Sequence, residues 1–312
     1  MAELSYRDDL EKELWRTWGE IVEDYTRRDT TRSEDKLRAI AGVAKAFQRT
    51  TGDVYVWGLW KRNLAIELLW HVEWEPQARP LEYRAPSWSW AAVKTIGESV
   101  LTTNGPNPLE VEPRFAVFEM PTGTARLSVG SSEARPGLVV RVRLCIAFWD
   151  PFECKLYEGA KEPVGPESPA QLRERGKSRD MRDIGYAYPD ALEDESSSPG
   201  HVICMLVAKR VSLNYTSVYG LVLAEVESGA VFRRIGMFCA RIAPAALPGF
   251  WGREDGLRCR ALSWPHRPRE KTMRNRPLEW LQRILPRRPW PGPHLDPFRL
   301  WQGIEPRTIT IV

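Results

Sequence analysis

The sequence lacks the features that would place the chain in a membrane or in an oxidising compartment. No apolar run reaches the length of about 18 residues that a membrane-spanning helix needs. The first nine residues are polar and acidic, whereas a signal peptide starts with positive charge and continues with an apolar stretch. The cysteines are odd in number and never form a Cys-x-x-Cys pair, which favours small buried thiols in a reducing compartment. These absences predict a cytoplasmic protein without a membrane span.

Short catalytic and nucleotide-binding motifs are also missing. The sequence has no Gly-x-Ser-x-Gly elbow, no Walker loop, no Gly-x-Gly-x-x-Gly and no His-Glu-x-x-His. His71 closes a predicted helix and is interpreted as a helix-end cation rather than a ligand. A zinc site built from Cys145, Cys154 and a distant histidine remains an open alternative. We therefore predict a non-catalytic protein with no catalytic residues, no cofactor and no metal, while an enzyme with a cryptic site stays as an alternative.

Basic and acidic residues are nearly balanced in the sequence, with 45 Lys and Arg against 41 Asp and Glu. The net charge of +4 is too small to indicate a nucleic-acid partner by itself. The hydrophobic fraction of 43% is typical of a globular protein, and 312 residues suffice for one large domain or two ordinary ones.

Tryptophan, by contrast, is abundant, and residues 83–93 read Tyr-Arg-Ala-Pro-Ser-Trp-Ser-Trp-Ala-Ala-Val. Pro86 excludes a helix interior, and alternation from Ser87 to Val93 predicts a strand. Trp88 and Trp90 would lie on one face of that strand and anchor a core, with Arg84 pairing across a helix–sheet junction. An exposed aromatic platform for a ligand is the alternative.

The N-terminal part is predicted to be helical. Apolar residues recur at three- and four-residue steps over residues 8–49. Thr31 and Glu34 fit a capping box between two helices. A third helix is predicted from about Arg62 to His71, with Leu64, Leu68 and Leu69 facing inward.

Residues 86–240 are predicted to be rich in strands. Alternation is clearest over residues 138–146, and Glu227–Ala230 is predicted to be a hairpin turn. A polar segment at about 158–200 is interpreted as a long surface insertion. The predicted strands are Ser87–Val93, Arg114–Glu119, Ala125–Val129, Leu138–Trp149, His201–Lys209, Val218–Val226 and Val231–Cys239.

The composition changes again over residues 241–307, where proline is frequent and basic residues outnumber acidic ones. Tryptophans are interleaved with the arginines, a mixture that single-strand nucleic-acid grooves use for phosphate contact and base stacking. No nucleic-acid module motif is present. A protein-interaction tail, an irregular packed arm and a nucleic-acid-binding arm all remain open. Thr308–Val312 is suited to a final strand.

Together these patterns predict an α+β fold in which N-terminal amphipathic helices pack on a mostly antiparallel β-sheet or sandwich. The predicted organisation has a helical region at 1–75, a β-rich region at 76–240 and an irregular basic Pro-rich arm at 241–312 that ends in a short strand.

Four ordered segments resemble the C-terminal half of fungal heterokaryon-incompatibility (HET) proteins. Residues 18–44 are similar to the family's "W..IV..YS...LT...DKL.AL.G.A" pattern, and residues 53–70 to its "D.Y.AGLW…LLW". Residues 83–91 match "YRAPSWSWA". Residues 219–223 and 233–238 resemble its later "GLVL" and "R.G.F" strands. Trp57 departs from the pattern, since the family favours alanine there.

The resemblance implies a role in fungal non-self recognition, in which HET proteins trigger an incompatibility cell death. The motifs of the N-terminal HET domain, which carries that trigger, do not occur in this sequence, so the chain resembles a family tail without its effector head. A non-catalytic scaffold or partner-sensing region with protein partners is the function that the resemblance implies. Nucleic-acid binding is the alternative.

Overall fold

The computed structural model describes residues 2–28, 35–73, 76–95, 100–103, 111–113, 115–119, 136–151, 153–158, 182–195, 200–211, 216–227, 230–242 and 304–312. The predicted strand at 125–129, nearly all of the arm at 241–307 and most of the predicted insertion lie outside these residues. None of the helices within them is long and apolar enough to cross a bilayer.

Two long helices open the fold, as the periodicity predicts. Helix α1 spans Ala2–Thr26 and α2 spans Lys36–Thr51. Helix α2 ends at Gly52, which adopts φ 65° and donates its N–H to the carbonyl of Gln48 at 2.8 Å. The predicted capping box lies outside the described residues, and Asp35, which precedes α2, makes no side-chain cap hydrogen bond.

The third helix is shorter than predicted. Helix α3 covers only Leu64–Glu67, although Leu64, Leu68 and Leu69 are buried as expected. The chain is extended again in strand His71–Glu73, so the interpretation of His71 as a helix-end cation is wrong. Its ring is buried and stacks on Tyr188 with centroids 5.0 Å apart.

Two small sheets accompany the helices. Strand β1 (Tyr55–Val56) pairs with β2 (Leu59–Trp60), and β3 (His71–Glu73) pairs with β4 (Val100–Thr102). The hairpin places Trp60 against both helices, with centroid distances of 5.2 Å to Trp18 and 5.1 Å to Phe47. Aromatic packing therefore joins α1, α2 and the hairpin.

Ten further strands form one sheet. They are β5 (Val111–Pro113), β6 (Phe115–Glu119), β7 (Leu138–Val142), β8 (Leu144–Asp150), β9 (Lys155–Glu158), β10 (Arg182–Pro189), β11 (Gly200–Val211), β12 (Thr216–Glu227), β13 (Val231–Ile242) and β14 (Arg307–Ile311). A short helix, α4 (Leu192–Glu195), follows β10.

Strands β8–β13 close into a six-stranded antiparallel barrel. They pair in the order β10-β9-β8-β11-β12-β13, and β10 pairs in turn with β13. The predictions of an α+β fold and of a mostly antiparallel sheet are confirmed, but the sandwich alternative is wrong because six strands close into a barrel. Strand β10 lies inside the predicted surface insertion, and its pairing with β13 removes the free edges that a sandwich would keep.

Strands β6, β7 and β14 form a wing beside the barrel, and β5 pairs with the end of β11. Strand β14 pairs in parallel with the start of β13 and antiparallel with β7, which pairs with β6. The predicted strand Leu138–Trp149 is divided at Arg143, where the chain passes from the wing into the barrel. The buried face changes there: Leu138, Val140 and Val142 are buried before the break, and Cys145 after it.

The other predictions for the described strands hold. Strands β6, β11, β12, β13 and β14 cover the expected segments, and Glu227 pairs with Val231 across the predicted hairpin. The segment Ser87–Val93 is the exception. Its only regular element is a 3₁₀ turn at Trp90–Ala92, so the predicted strand is wrong.

Two apolar clusters result. The interior cluster fills the barrel; its central members include Cys204, Leu206, Val222 and Phe238. The junction cluster lies between the outer face of the sheet and the helices, and it runs from Trp15 in α1 to Ile311 in β14. Both faces of β11 and β12 are therefore buried, and the junction cluster contains residues from all three predicted regions of the chain.

Candidate functional site: the tryptophan turn and its buried ion network

Residues 86–93, called here the tryptophan turn, are held by local hydrogen bonds. The N–H of Ser89 donates to the carbonyl of Pro86 at 2.9 Å. The hydroxyl oxygen of Ser89 then accepts from the N–H of Ala91 at 3.1 Å, as a helix N-cap does. Proline followed by a capping serine therefore starts a turn where alternation alone predicted a strand.

The two serines also connect the turn to distant strands. Ser89 Oγ donates to the carbonyl of Trp57 in the β1–β2 hairpin. Ser87 Oγ donates to the carbonyl of Val312 and accepts from the N–H of Arg234 at 2.9 Å. The tryptophan turn is thereby joined to the hairpin, to the segment after β14 and to β13.

The two rings are buried as predicted, with Trp88 and Trp90 at 0% and 1% exposure. Trp90 Nε1 donates to the carbonyl of Gly58 at 2.8 Å. Gly58 adopts φ 95°, and a Cβ there would lie 2.7 Å from Trp90 Nε1. Only glycine satisfies both the backbone angle and this close approach.

A fully buried arginine lies beside the turn. Arg234 donates from Nε and Nη2 to the two carboxylate oxygens of Asp190 at 2.9 and 3.1 Å. It also donates to the carbonyls of Leu68, at 2.7 Å, and Trp70. Its guanidinium carbon lies 3.5 Å from the centroid of the Trp70 ring. Burial lowers the pKa of Arg234, and the Asp190 carboxylate opposes that shift.

A second arginine extends this network to the surface. Arg79 Nη2 lies 2.6 Å from Asp194 and 4.0 Å from Asp190, and Arg79 Nε lies 3.6 Å from Glu193. Burial raises the pKa of Asp194 to about 6, against the opposing effect of Arg79. We call the set Arg79, Asp190, Asp194 and Arg234 the ion network. It connects the loop before the tryptophan turn with β10, α4 and β13.

On the side that faces the helices, two buried basic side chains donate hydrogen bonds to carbonyl groups of the turn. Lys36 Nζ donates to the carbonyl of Val93 at 2.8 Å, and Arg84 donates to the same carbonyl and to that of Ala91. Burial, followed by repulsion from Arg84, lowers the pKa of Lys36 well below its usual value. Burial also lowers the pKa of Arg84 to about 10. These two acceptors of Arg84 lie within the tryptophan turn, and Lys36 is the residue that connects the turn to α2.

A separate pair of carboxyl groups lies under the hairpin. Asp53 accepts from the N–H of Val54 at 2.7 Å and from the N–H of Arg62, and so fastens the hairpin. Burial raises the pKa of Glu67 to about 8; the N–H of Trp60 opposes the shift and Asp53 reinforces it. Sequence reasoning missed this pair, because Asp53 and Glu67 belong to no short motif.

The charged groups of the ion network interact mainly with other groups of the same chain. The guanidinium group of Arg234 contacts a carboxylate, two carbonyls and an aromatic face, and the residue is 0% exposed, so it presents no surface to a substrate. Within the described ranges, no group of three or more potential metal ligands comes together. Cys145 has a sulfur neighbour in Cys204, and Cys154 lies elsewhere, after the end of β8.

No protein family, curated protein or solved structure matches this chain.

Proposed function

We propose that this chain is the non-catalytic C-terminal region of a HET-like protein and acts as a scaffold or partner-sensing unit in fungal non-self recognition and incompatibility cell death. One observation supports it: the segments that carry the family resemblance meet at the tryptophan turn and the ion network. Arg234 of the "R.G.F" segment binds the carbonyls of Leu68 and Trp70 in the "LLW" segment and the hydroxyl of Ser87.

The same convergence extends to the helices. The buried aromatic residues of the resembling segments include Trp18, Trp60, Trp70, Trp88 and Trp90, and all of them belong to the junction cluster. Motif residues of an enzyme usually converge on an open cleft, whereas these converge on one another. Motif residues that pack the helical layer against the barrel are more consistent with a scaffold than with a catalyst.

A buried ion pair adds little net stability but penalises arrangements that separate its partners. Here Arg234 comes from the barrel, while its carbonyl acceptors at Leu68 and Trp70 come from the helical side. Asp190 belongs to the barrel side as well, so the two carbonyl hydrogen bonds of Arg234 are the contacts that reach the helical side. A displaced helical layer would leave the buried guanidinium without these acceptors, and the network therefore favours one arrangement of the helical layer on the barrel. A fixed arrangement of this kind suits a unit that transmits partner binding to an attached effector domain.

The test is a chimera in a fungal host, in which this chain replaces the C-terminal region of a full-length HET protein. Expressed alone, the chain should leave cells viable, and in the chimera it should restore the incompatibility death. Arg234→Met should abolish that restoration, and Arg49→Met, an exposed arginine at the end of α2, should not. Death caused by the chain alone, or a chimera with no response at matched expression, would refute the proposal.

An enzyme with an acid–base site is the second candidate, and the carboxyl of Glu67 favours it, since a group that still holds its proton near neutral pH can act as a general acid. The test is hydrolysis of chromogenic esters and glycosides by the purified chain. Turnover that Glu67→Gln abolishes would support this candidate; turnover that is absent, or unchanged in the variant, would reject it.

A further inference from the structure

Two cysteines face each other inside the barrel. Cys145 in β8 and Cys204 in β11 are direct register partners of an antiparallel pair. Both are reduced and buried, and the two thiols are hydrogen-bonded to each other. Their surroundings are apolar, with Leu206 and Val222 in the same interior cluster.

The backbone already has the spacing that a disulfide needs. Residues directly opposite each other on antiparallel strands have Cα atoms about 4.5 or about 5.5 Å apart. A disulfide spans Cα separations of about 4.4–6.8 Å. The bond can therefore form by rotation of the two side chains, without movement of either strand.

We propose that Cys145 and Cys204 form an oxidation site that hydrogen peroxide converts into a disulfide inside the barrel. The Cys145 thiolate attacks one oxygen of the peroxide, the O–O bond breaks, and the departing hydroxide takes up a proton as water. The sulfur of Cys204 then attacks the resulting sulfenic acid, its S–H proton leaves with the hydroxide, and a second water is released. Two thiols and one peroxide thus give one disulfide and two waters.

Cys145 is assigned the first step because it is the more accessible thiol, at 8% exposure against 0% for Cys204. The hydrogen bond with Cys145, together with burial, raises the pKa of the Cys204 thiol, which keeps it protonated while Cys145 reacts.

Oxidation should stabilise the barrel. The bond would link β8 to β11 and close a loop over residues 146–203, which restricts the unfolded chain more than the folded one. The melting temperature should therefore rise on oxidation by several degrees and return to its original value after reduction with dithiothreitol. This inference does not depend on the proposed role in non-self recognition.

The test treats the reduced full chain with hydrogen peroxide, alkylates the remaining thiols under denaturing conditions and maps disulfides in a non-reducing digest. Cleavage at Asp150 or Glu153 separates Cys145 from Cys154, so the linked sulfurs can be identified. The expected result is a folded monomer that has lost two hydrogen atoms and contains a peptide linking Cys145 to Cys204.

Matched variants complete the test. Cys145→Ala and Cys204→Ala should both lose the cross-link and the rise in melting temperature. Cys239→Ala should keep both, because Cys239 lies opposite Tyr186 and Tyr219 rather than opposite a cysteine. The wild-type digest tests for the bond between Cys145 and Cys204 even if a variant does not fold. Thiols at 145 and 204 that remain open to alkylation, or a cross-link through Cys154 or Cys259 instead, would overturn the proposal.

Discussion

The barrel interior and the junction outside it are both buried, yet they are built from different chemistry. The interior cluster consists mainly of aliphatic and small residues such as Leu206 and Val222, together with the two facing thiols. The junction combines large indole rings with arginine, aspartate and serine, and the side chains of Arg234, Asp190 and Ser87 hydrogen-bond there. The interior needs the right volume, whereas the junction also needs its buried charged groups to keep their partners.

The largest effect should follow from breaking the ion network at its centre. Arg234→Met leaves Asp190 buried without its main partner, which we expect to cost about 3–5 kcal/mol of unfolding free energy. Urea denaturation measures it, with Arg49→Met as the exposed control.

The double variant Arg234→Met/Asp190→Leu sharpens this result. Because it removes both buried charges, it should recover much of the stability lost by the single variant. If the double variant is as unstable as the sum of both single ones, the two side chains are not coupled.

A pH dependence should come from the helical side. The folded chain holds the proton of Glu67 up to a pKa of about 8, whereas the unfolded chain releases it near 4.5. The stabilisation is therefore complete below the unfolded value and is lost as pH rises through the folded one, on the order of 5 kcal/mol. Melting temperatures measured between acidic and alkaline buffer should show the decline.

Glu67→Gln should flatten that decline, because its amide has no proton to release in this range. Glu20→Gln, at an exposed position of α1, should leave the decline unchanged. An equal decline in all three proteins would assign the pH dependence to other groups.

Gly58→Ala tests the contact between hairpin and turn. It should cost about 2–3 kcal/mol, from a left-handed backbone angle and from a clash with the indole of Trp90. Gly52→Ala provides the matched control, since it has φ 65° with nothing within 4 Å of the added Cβ, and should cost only about 1 kcal/mol. Equal costs in urea denaturation would show that the indole contact contributes nothing.

The smallest effect should be in the barrel. Leu206→Met keeps the volume of a fully buried side chain and should cost less than about 1.5 kcal/mol. A larger loss, measured by the same denaturation, would mean that the interior is as intolerant as the junction.

Prediction from the sequence succeeded where one face of an element is apolar. The alternation over residues 138–142 and the helical stripe of α1 both depend on local periodicity. Strand β10 was not predicted because a polar segment precedes it in the sequence. Within the strand, Gly185 at φ 154° allows the backbone of the partner strand β13 to approach closely, a requirement that no local pattern announces. The closure of β10 on β13 is a long-range pairing, which no local pattern specifies.

The site was harder to predict than the fold. Trp88 and Trp90 were correctly placed in a core, but the alternation around them does not reflect a strand, because serine and tryptophan side chains are both buried. The ion network joins residues that are far apart in the sequence, since Asp190 lies 44 positions and Arg79 lies 155 positions before Arg234. Arg234 also donates to the backbone carbonyls of Leu68 and Trp70, and no side-chain motif in the sequence reveals such acceptors.

The most direct test of the central claim is native-state hydrogen exchange on the wild type and Arg234→Met. If the ion network fixes the helical layer on the barrel, amide protection should fall together in α2, in the hairpin and at the start of β13, while β8 and β9 keep theirs. Loss of protection confined to the neighbours of residue 234, with α2 unchanged, would contradict that claim.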